Sequence, residues 1–134
     1  MVINLGSTPI TAHGDGDWDF IYYERAAHPG IQMDLVSLQI STDNTPTSTW
    51  YTVFDFGGGV TGNSSIWSYA EVDNALIPLS DLIGGAVRTG VGIDIDNASL
   101  NGGLGIPPGS YRYLRIYSPA DSGDGCDVDA IEVY

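Results

Sequence analysis

Apolar and polar residues alternate with a period of two in this chain, and this pattern limits the folds open to it. Val36, Leu38 and Ile40 alternate with polar neighbours, which predicts a strand with one face in a core and the other in water. No stretch of ten or more residues has the helical period, and only residues 73–83 leave room for one or two helical turns. The chain is therefore expected to be all-β.

Six segments carry the β-branched and aromatic residues that are typical of strands. They are Trp18–Glu24, Met33–Thr42, Trp50–Phe56, Thr89–Asp96, Ser110–Ser118 and Asp127–Tyr134, with weaker candidates near Ile3, Ile10 and Ile66. Many short strands joined by long turns predict an antiparallel β-sandwich, best matched by a jelly roll. With 134 residues and no linker or shift in composition, residues 1–134 are expected to form a single domain.

The charge balance excludes several classes of partner. The chain contains four Arg, no Lys and a formal net charge of −13, which opposes binding to nucleic acid or to anionic membranes. A phosphate-binding loop would need a Lys. The sequence has no apolar run long enough to span a membrane, and its start lacks the pattern of a signal peptide. We therefore expect no nucleic-acid partner and no membrane insertion.

Aspartate is the dominant acidic residue, and it is concentrated in three short groups, at residues 15–19, 94–96 and 121–129, of which the first and last contain glycine. Ca²⁺ takes six to eight oxygen ligands, which carboxylates and turn carbonyls together can supply. The first group has the spacing of an EF-hand loop, but Phe20 stands where that loop has Gly and Ala26 where it has Glu. A calcium site would therefore be discontinuous. The alternative is that each Asp caps its own turn.

Several segments carry a family resemblance. Residues 109–117 and 124–133 look like the closing strands of bacterial cell-surface modules with a galactose-binding-like, or discoidin-like, jelly-roll fold. Residues 19–24, a strand ending in Glu, and the hairpin at 38–44 that leads to an aromatic strand are similar to the same modules. Several carbohydrate-binding modules share this fold.

The resemblance implies a structural calcium that ties the N-terminal region to the last strand. Carried over to this chain, its ligands are Asp127 and Asp129, with Asp17 or Asp19 as partners and Asp124 as a further candidate from the same group. The second group, Asp94 and Asp96, alternates with Val91, Ile93 and Ile95 and is expected instead to point outwards into solvent, with metal ligation as the alternative.

Aromatic residues are the candidates for recognition. Tyr111, Tyr113, Arg115 and Tyr117 share one face of a predicted strand. Such a row would suit sugar rings and hydroxyls, unless packing between two sheets buries it. Trp67 lies in a polar stretch and is expected on an exposed loop, more so than Trp18 or Trp50.

The sequence therefore predicts a non-catalytic, calcium-stabilised module, extracellular or on the cell surface, that binds a polysaccharide or another glycan. The alternative is a structural or adhesive module of a bacterial surface protein or filament, which would pair with a neighbouring domain. Catalysis is not expected, because there is no Gly-x-Ser-x-Gly motif and Cys126 has no basic neighbour in sequence. His13 and His28 lack companions at zinc spacing and are expected on the surface.

Overall fold

Short antiparallel strands make up nearly all the regular structure. The computed structural model describes residues 1–27, 29–83, 89–97, 104–119 and 126–134. Within these ranges there are twelve strands, all paired antiparallel, and a single 3-10 turn, Leu79–Asp81. The prediction of an all-β fold is confirmed, and the arrangement is consistent with a β-sandwich.

The largest sheet has four strands. In spatial order they are β1 (Val2–Asn4), β11 (Tyr113–Tyr117), β6 (Val36–Ser41) and β7 (Tyr51–Phe56). The alternation in β6 has the predicted effect, since Val36, Leu38 and Ile40 are fully buried. The opposite face of β6 is less open than predicted, because Ser37 is also buried.

A three-stranded sheet positions the candidate metal centre. Its strands are β12 (Val128–Val133), β3 (Phe20–Glu24) and β9 (Gly90–Ile93), with β3 in the middle. Phe20 pairs with Ile93 of β9 and with Val133 of β12, whereas Glu24 pairs with Val128. The start of β3 therefore lies beside the end of β9, and the end of β3 lies beside the start of β12.

Two smaller sheets complete the described fold. One pairs β2 (Ile10–Thr11) with β10 (Ser110–Tyr111), and the other contains β4 (Ala26–Ala27), β5 (Gly30–Met33) and β8 (Ala75–Pro78). Residues 73–83 thus form a strand followed by the 3-10 turn, rather than helical turns throughout. The predicted strand near Ile66 is absent, because residues 65–68 lie in turns and Ser64 makes only an isolated bridge to Ile93.

The strands share an apolar core. Its largest fully buried side chains are Tyr22, Tyr111, Phe20, Phe54 and Phe56. Burial of a large apolar side chain contributes about 1.5–3 kcal/mol to folding. Phe20 and Ile93, which flank the candidate metal centre in sequence, are both fully buried, so the centre is attached to well-packed backbone.

Candidate metal centre and aromatic surfaces

Three aspartates converge where β3 begins and β9 ends. Asp19 directly precedes β3, and Asp94 and Asp96 follow β9. The antiparallel register brings these positions side by side, and the backbone N–H of Asp19 donates to the Ile93 carbonyl (3.0 Å). One carboxylate oxygen from each aspartate lies within 4.8 Å of those of the other two. The site is therefore discontinuous, as predicted, but Asp94 and Asp96 do not point into solvent.

Backbone N–H groups hold all three carboxylates in place. Ile95 N–H donates to Asp19 Oδ2 (2.7 Å), and Asp96 N–H donates to Asp94 Oδ1 (2.9 Å). Asp96 Oδ2 accepts from the N–H groups of residues 13 and 14, at 2.9 and 2.6 Å. These bonds orient the carboxylates without neutralising their charge.

Gly14 makes the last of these contacts possible. Its φ of +77° lies in the left-handed region, which glycine enters far more readily than other residues. The turn at residues 13 and 14 thereby aims two successive N–H groups at one oxygen of Asp96. The loop before β3 is thus joined to the segment after β9.

The electrostatics of the cluster favour a bound cation. Asp19 is only 4% exposed, and this burial raises its pKa to about 6. The N–H of Ile95 opposes the shift, and the negative charges of Asp96, Asp94 and Asp15 add to it. The pKa of Asp94 is also raised, mainly by burial. Among the described residues, the basic group within 4 Å of Asp19 is the His13 imidazole, with Nδ1 3.7 Å from Asp19 Oδ1.

The donor set fits a hard divalent cation. Calcium–oxygen bonds are about 2.3–2.6 Å long, so two oxygens on one ion lie at most about 5 Å apart. The three carboxylate oxygens meet this limit. Three carboxylates do not fill the six to eight positions of Ca²⁺, so turn carbonyls or water would supply the remaining ligands. A soft metal is not favoured, because the three ligand side chains are carboxylates and none is a thiolate.

A buried asparagine ties this cluster to the four-stranded sheet. Asn63 is 2% exposed, and its Nδ2 donates to the backbone carbonyls of Val53 (2.6 Å) and Asp94 (2.9 Å). The N–H of Asp94 donates in return to the Asn63 carbonyl (2.9 Å). Because Val53 belongs to β7 and Asp94 follows β9, Asn63 connects the edges of two different sheets.

The structure does not bring Asp19 together with Asp127, one of the pairings that the family resemblance implies. Asp19 lies opposite Tyr134, whose N–H donates to its carbonyl (3.1 Å), whereas Asp127 accepts through its carbonyl from Arg25 N–H (3.2 Å). Asp19 and Arg25 flank the five residues of β3, so they are six steps apart along the strand, which corresponds to about 20 Å. One ion cannot contact both ends. Asp17 is exposed, and Asp124 lies outside the described residues, as does His28.

A second acidic group occupies the other end of β3. Glu24 is fully buried, and its carboxylate accepts from Tyr22 O–H (2.7 Å) and Arg25 N–H (3.1 Å). Burial raises the pKa of Glu24 to about 7, against these two hydrogen bonds, and the charges of Asp34 and Asp127 add to the shift. Asp127 also forms an exposed ion pair with Arg25 (3.7 Å), an arrangement that contributes little stability.

The four-stranded sheet presents an aromatic and polar outer surface. Arg115 stacks over the Trp50 ring, with Cζ 4.4 Å from the ring centroid, and its Nε donates to Gln39 Oε1 (2.8 Å). Gln39 Nε2 in turn donates to Thr52 Oγ1 (3.0 Å) and to the Tyr117 hydroxyl (3.4 Å). We call these five residues the Arg115 surface. Tyr113 lies on β11 beside them and is half-buried.

Tyr111 does not belong to this surface. It is 2% exposed, its ring meets Tyr51 edge to face at 5.9 Å between centroids, and its hydroxyl donates to the Pro107 carbonyl. The cause is a break at Arg112, which separates β10 from β11. The predicted row of four is therefore reduced to Tyr113, Arg115 and Tyr117.

Trp67 is the most exposed tryptophan, at 66%, as its polar surroundings predict. It lies on a turn whose neighbours are well anchored. Ile66 is fully buried, and Ser64 Oγ donates to the Thr61 carbonyl (2.8 Å). The exposed indole is therefore carried by ordered backbone.

Sequence reasoning missed three functional candidates: Asp94 and Asp96 as partners of Asp19, the buried Glu24, and Trp50 beneath Arg115. Part of the signal for the first was present, because two aspartates stand at the end of the predicted strand Thr89–Asp96. The register of β3 against β9 determines that these two aspartates lie beside Asp19.

Comparison with known proteins does not identify a family. No protein-family model, no curated protein and no solved structure matches the chain. The only helical element among the described residues, Leu79–Asp81, has three residues, and no helix there could cross a membrane.

Proposed function

We propose that this chain is a non-catalytic, calcium-stabilised jelly-roll module of the galactose-binding-like type that acts outside the cell or on its surface. The observation that carries the calcium assignment is the approach of Asp19, Asp94 and Asp96, with one oxygen from each within 4.8 Å of the others. Carboxylates this close repel one another, and a divalent ion turns the repulsion into attraction.

The ion would act as a structural clamp. It would join the loop before β3 to the segment after β9, and through Asn63 to the edge of the four-stranded sheet. An ion that binds only the folded state raises stability with the logarithm of its free concentration. We therefore expect the melting temperature to rise with added calcium.

Thermal unfolding in EDTA and in millimolar CaCl₂ tests the assignment, with MgCl₂ as a comparison. Ca²⁺ should raise the melting temperature more than Mg²⁺, because Mg²⁺ demands near-octahedral geometry and loses its water reluctantly. Equal melting temperatures in EDTA and in CaCl₂ would contradict the proposal.

For recognition, we propose that the module binds a polysaccharide. The Arg115 surface supports this proposal, since it combines fixed polar groups with aromatic rings, and Tyr117 is 41% exposed. Sugars present apolar C–H faces for aromatic contact and hydroxyls for polar groups.

Affinity electrophoresis through native gels containing soluble glucan, xylan, mannan or galactan tests the second proposal. At least one neutral polysaccharide should retard the protein. Tyr117→Ala should reduce the retardation, whereas Tyr134→Ala, which changes another exposed tyrosine, should not. If no polysaccharide retards the wild type, the carbohydrate proposal is wrong and the calcium proposal is unaffected.

The adhesive alternative has less support from the edge strand β12. An assembly module needs an open edge strand, and β12 has a neighbour on only one side among the described strands. However, Asp129 and Glu132 place charges on β12, a common means of preventing edge-to-edge pairing. Size measurement with and without calcium would detect assembly.

A further inference from the structure

Gly92 has no side chain, and it therefore leaves room for neighbouring side chains on the outer face of the three-stranded sheet. Its neighbours on β9, Val91 and Ile93, are fully buried. Side chains alternate along a strand, so the position of a Cβ on residue 92 faces away from the core. The space is filled instead by Trp18 and by Ile83 Cδ1.

The indole of Trp18 lies face-on over Gly92. The indole atoms nearest to the Cβ position of residue 92 are Trp18 Cδ2 (2.6 Å) and Cε2 (2.8 Å). These are the two carbons shared by the fused rings. An indole that approached by its edge would bring a peripheral atom closest, so the centre of the ring system must cover the glycine.

The other face of the ring is therefore turned away from the sheet. Trp18 remains 37% exposed although one face is covered. A ring held in this way is already oriented, so a ligand that stacks on it would lose little conformational entropy of the protein.

A second exposed tryptophan is attached to the same glycine through its turn. Ser65 N–H donates to the Gly92 carbonyl (3.0 Å), and Gly92 N–H donates to Ser65 Oγ (3.1 Å). Trp67 lies two residues further along this turn and is 66% exposed. The indole of Trp18 and the turn that carries Trp67 thus both contact Gly92 of β9.

We propose that Trp18 is a stacking residue for a pyranose ring of a neutral polysaccharide. This inference rests on the proposed carbohydrate function but uses a different surface from the Arg115 surface. A neutral sugar suits the position, because the net charge of −13 and the exposed neighbour Asp17 oppose an anion such as a nucleotide. A cationic peptide, which would also stack on indole, is the competing occupant in the test.

Affinity electrophoresis with the same neutral polysaccharides tests the proposal on three variants. Trp18→Leu keeps an apolar side chain over Gly92 but removes the aromatic face, and it should lower affinity about tenfold or more. Trp18→Phe should retain more affinity than Trp18→Leu. Gly92→Ala keeps Trp18 but places a Cβ where its ring lies, and it should also weaken binding.

The outcomes separate the two proposals. If Trp18→Leu binds as the wild type does while Tyr117→Ala loses binding, the Trp18 inference is wrong and carbohydrate binding stands. If no polysaccharide retards the wild type, both are wrong. If poly-lysine, and no polysaccharide, changes the tryptophan fluorescence, and Trp18→Leu abolishes that change, the ring serves a cationic partner and the inference is overturned. Melting temperatures of the three variants near that of the wild type confirm that folding is intact.

Discussion

A carboxylate is buried at each end of strand β3, but the groups that surround the two carboxylates differ. At the Glu24 end, a tyrosine hydroxyl and a backbone N–H donate to one acid. At the Asp19 end, three carboxylates approach within 4.8 Å, and among the described residues their hydrogen bonds come from backbone N–H groups. Raised pKa values, about 7 for Glu24 and about 6 for Asp19, therefore do not by themselves identify a metal site. The approach of three carboxylates to one point is the observation on which the proposed calcium site rests.

The largest expected effect concerns Glu24 and pH. Its pKa rises from 4.5 to about 7 on folding, so in this range the folded state binds more protons than the unfolded state. Stability from this group is therefore present at low pH and is lost as pH rises towards 7. At about 1.4 kcal/mol per pKa unit, the loss is up to about 3 kcal/mol.

Glu24→Gln should remove this part of the pH dependence. Urea unfolding in EDTA at a series of pH values between 4.5 and 7 measures it, and Asp129→Asn, an exposed acid-to-amide change, is the matched control. A free-energy difference between Glu24→Gln and the wild type that stays constant across this range would contradict the prediction.

The next effect concerns Asp94 and calcium. Asp94→Asn should abolish the calcium-induced gain, which is about 2.7 kcal/mol when free Ca²⁺ is a hundredfold above its dissociation constant. In EDTA the same variant should be as stable as the wild type or more so, because one of three repelling charges is gone. Thermal unfolding with and without CaCl₂ measures both changes.

Glu24→Gln is the control for the calcium experiment, and it should keep the gain. If the gain were lost in Glu24→Gln and kept in Asp94→Asn, the ion would bind at the Glu24 end of β3, and the proposed site at Asp19, Asp94 and Asp96 would be wrong.

A smaller effect is expected at the turn that orients Asp96. A Cβ on Gly14 would have no atom within 4 Å, so Gly14→Ala is penalised only through its φ of +77°, by about 1 kcal/mol. Calcium affinity should fall as well, since the N–H groups of residues 13 and 14 would lose their alignment with Asp96. Calorimetric titration and urea unfolding measure the two effects.

Gly16→Ala is the matched control, because Gly16 is also open but does not have a φ in the left-handed region. Equal losses in both variants would show that the loop tolerates no side chain, and would contradict the role given to Gly14.

The smallest effect is expected for Asp17→Asn and Asp129→Asn, both at exposed positions. Stability should change by less than about 0.5 kcal/mol, and the calcium response should remain. Loss of that response in either variant, measured by thermal unfolding, would instead support the calcium site between the N-terminal region and the last strand that the family resemblance implies.

Much of the fold follows from local pattern, because a strand that is half in a core must alternate. Val36, Leu38 and Ile40 are buried for this reason. The pattern does not predict β4 and β8, since β4 consists of two alanines and β8 is a four-residue strand in which alanine and proline flank the two apolar residues.

The candidate site could be predicted only as a class of chemistry. The sequence correctly indicates a discontinuous arrangement of aspartates, but which groups meet depends on the pairing of Phe20 with Ile93. No local signal specifies that register. The orientation of Trp18 likewise depends on Gly92, 74 positions away, and on the absence of a side chain there.

Asn63 has a consequence for how the protein can be produced. With Ser65 it forms an Asn-x-Ser triplet, the acceptor for N-linked glycans. Its side-chain nitrogen donates to Val53 and Asp94 inside the fold, so the native state has no room for a sugar on that atom. In a secretory host, attachment of a glycan before folding would compete with closure of the two sheets, and an unglycosylated fraction should be the one that folds.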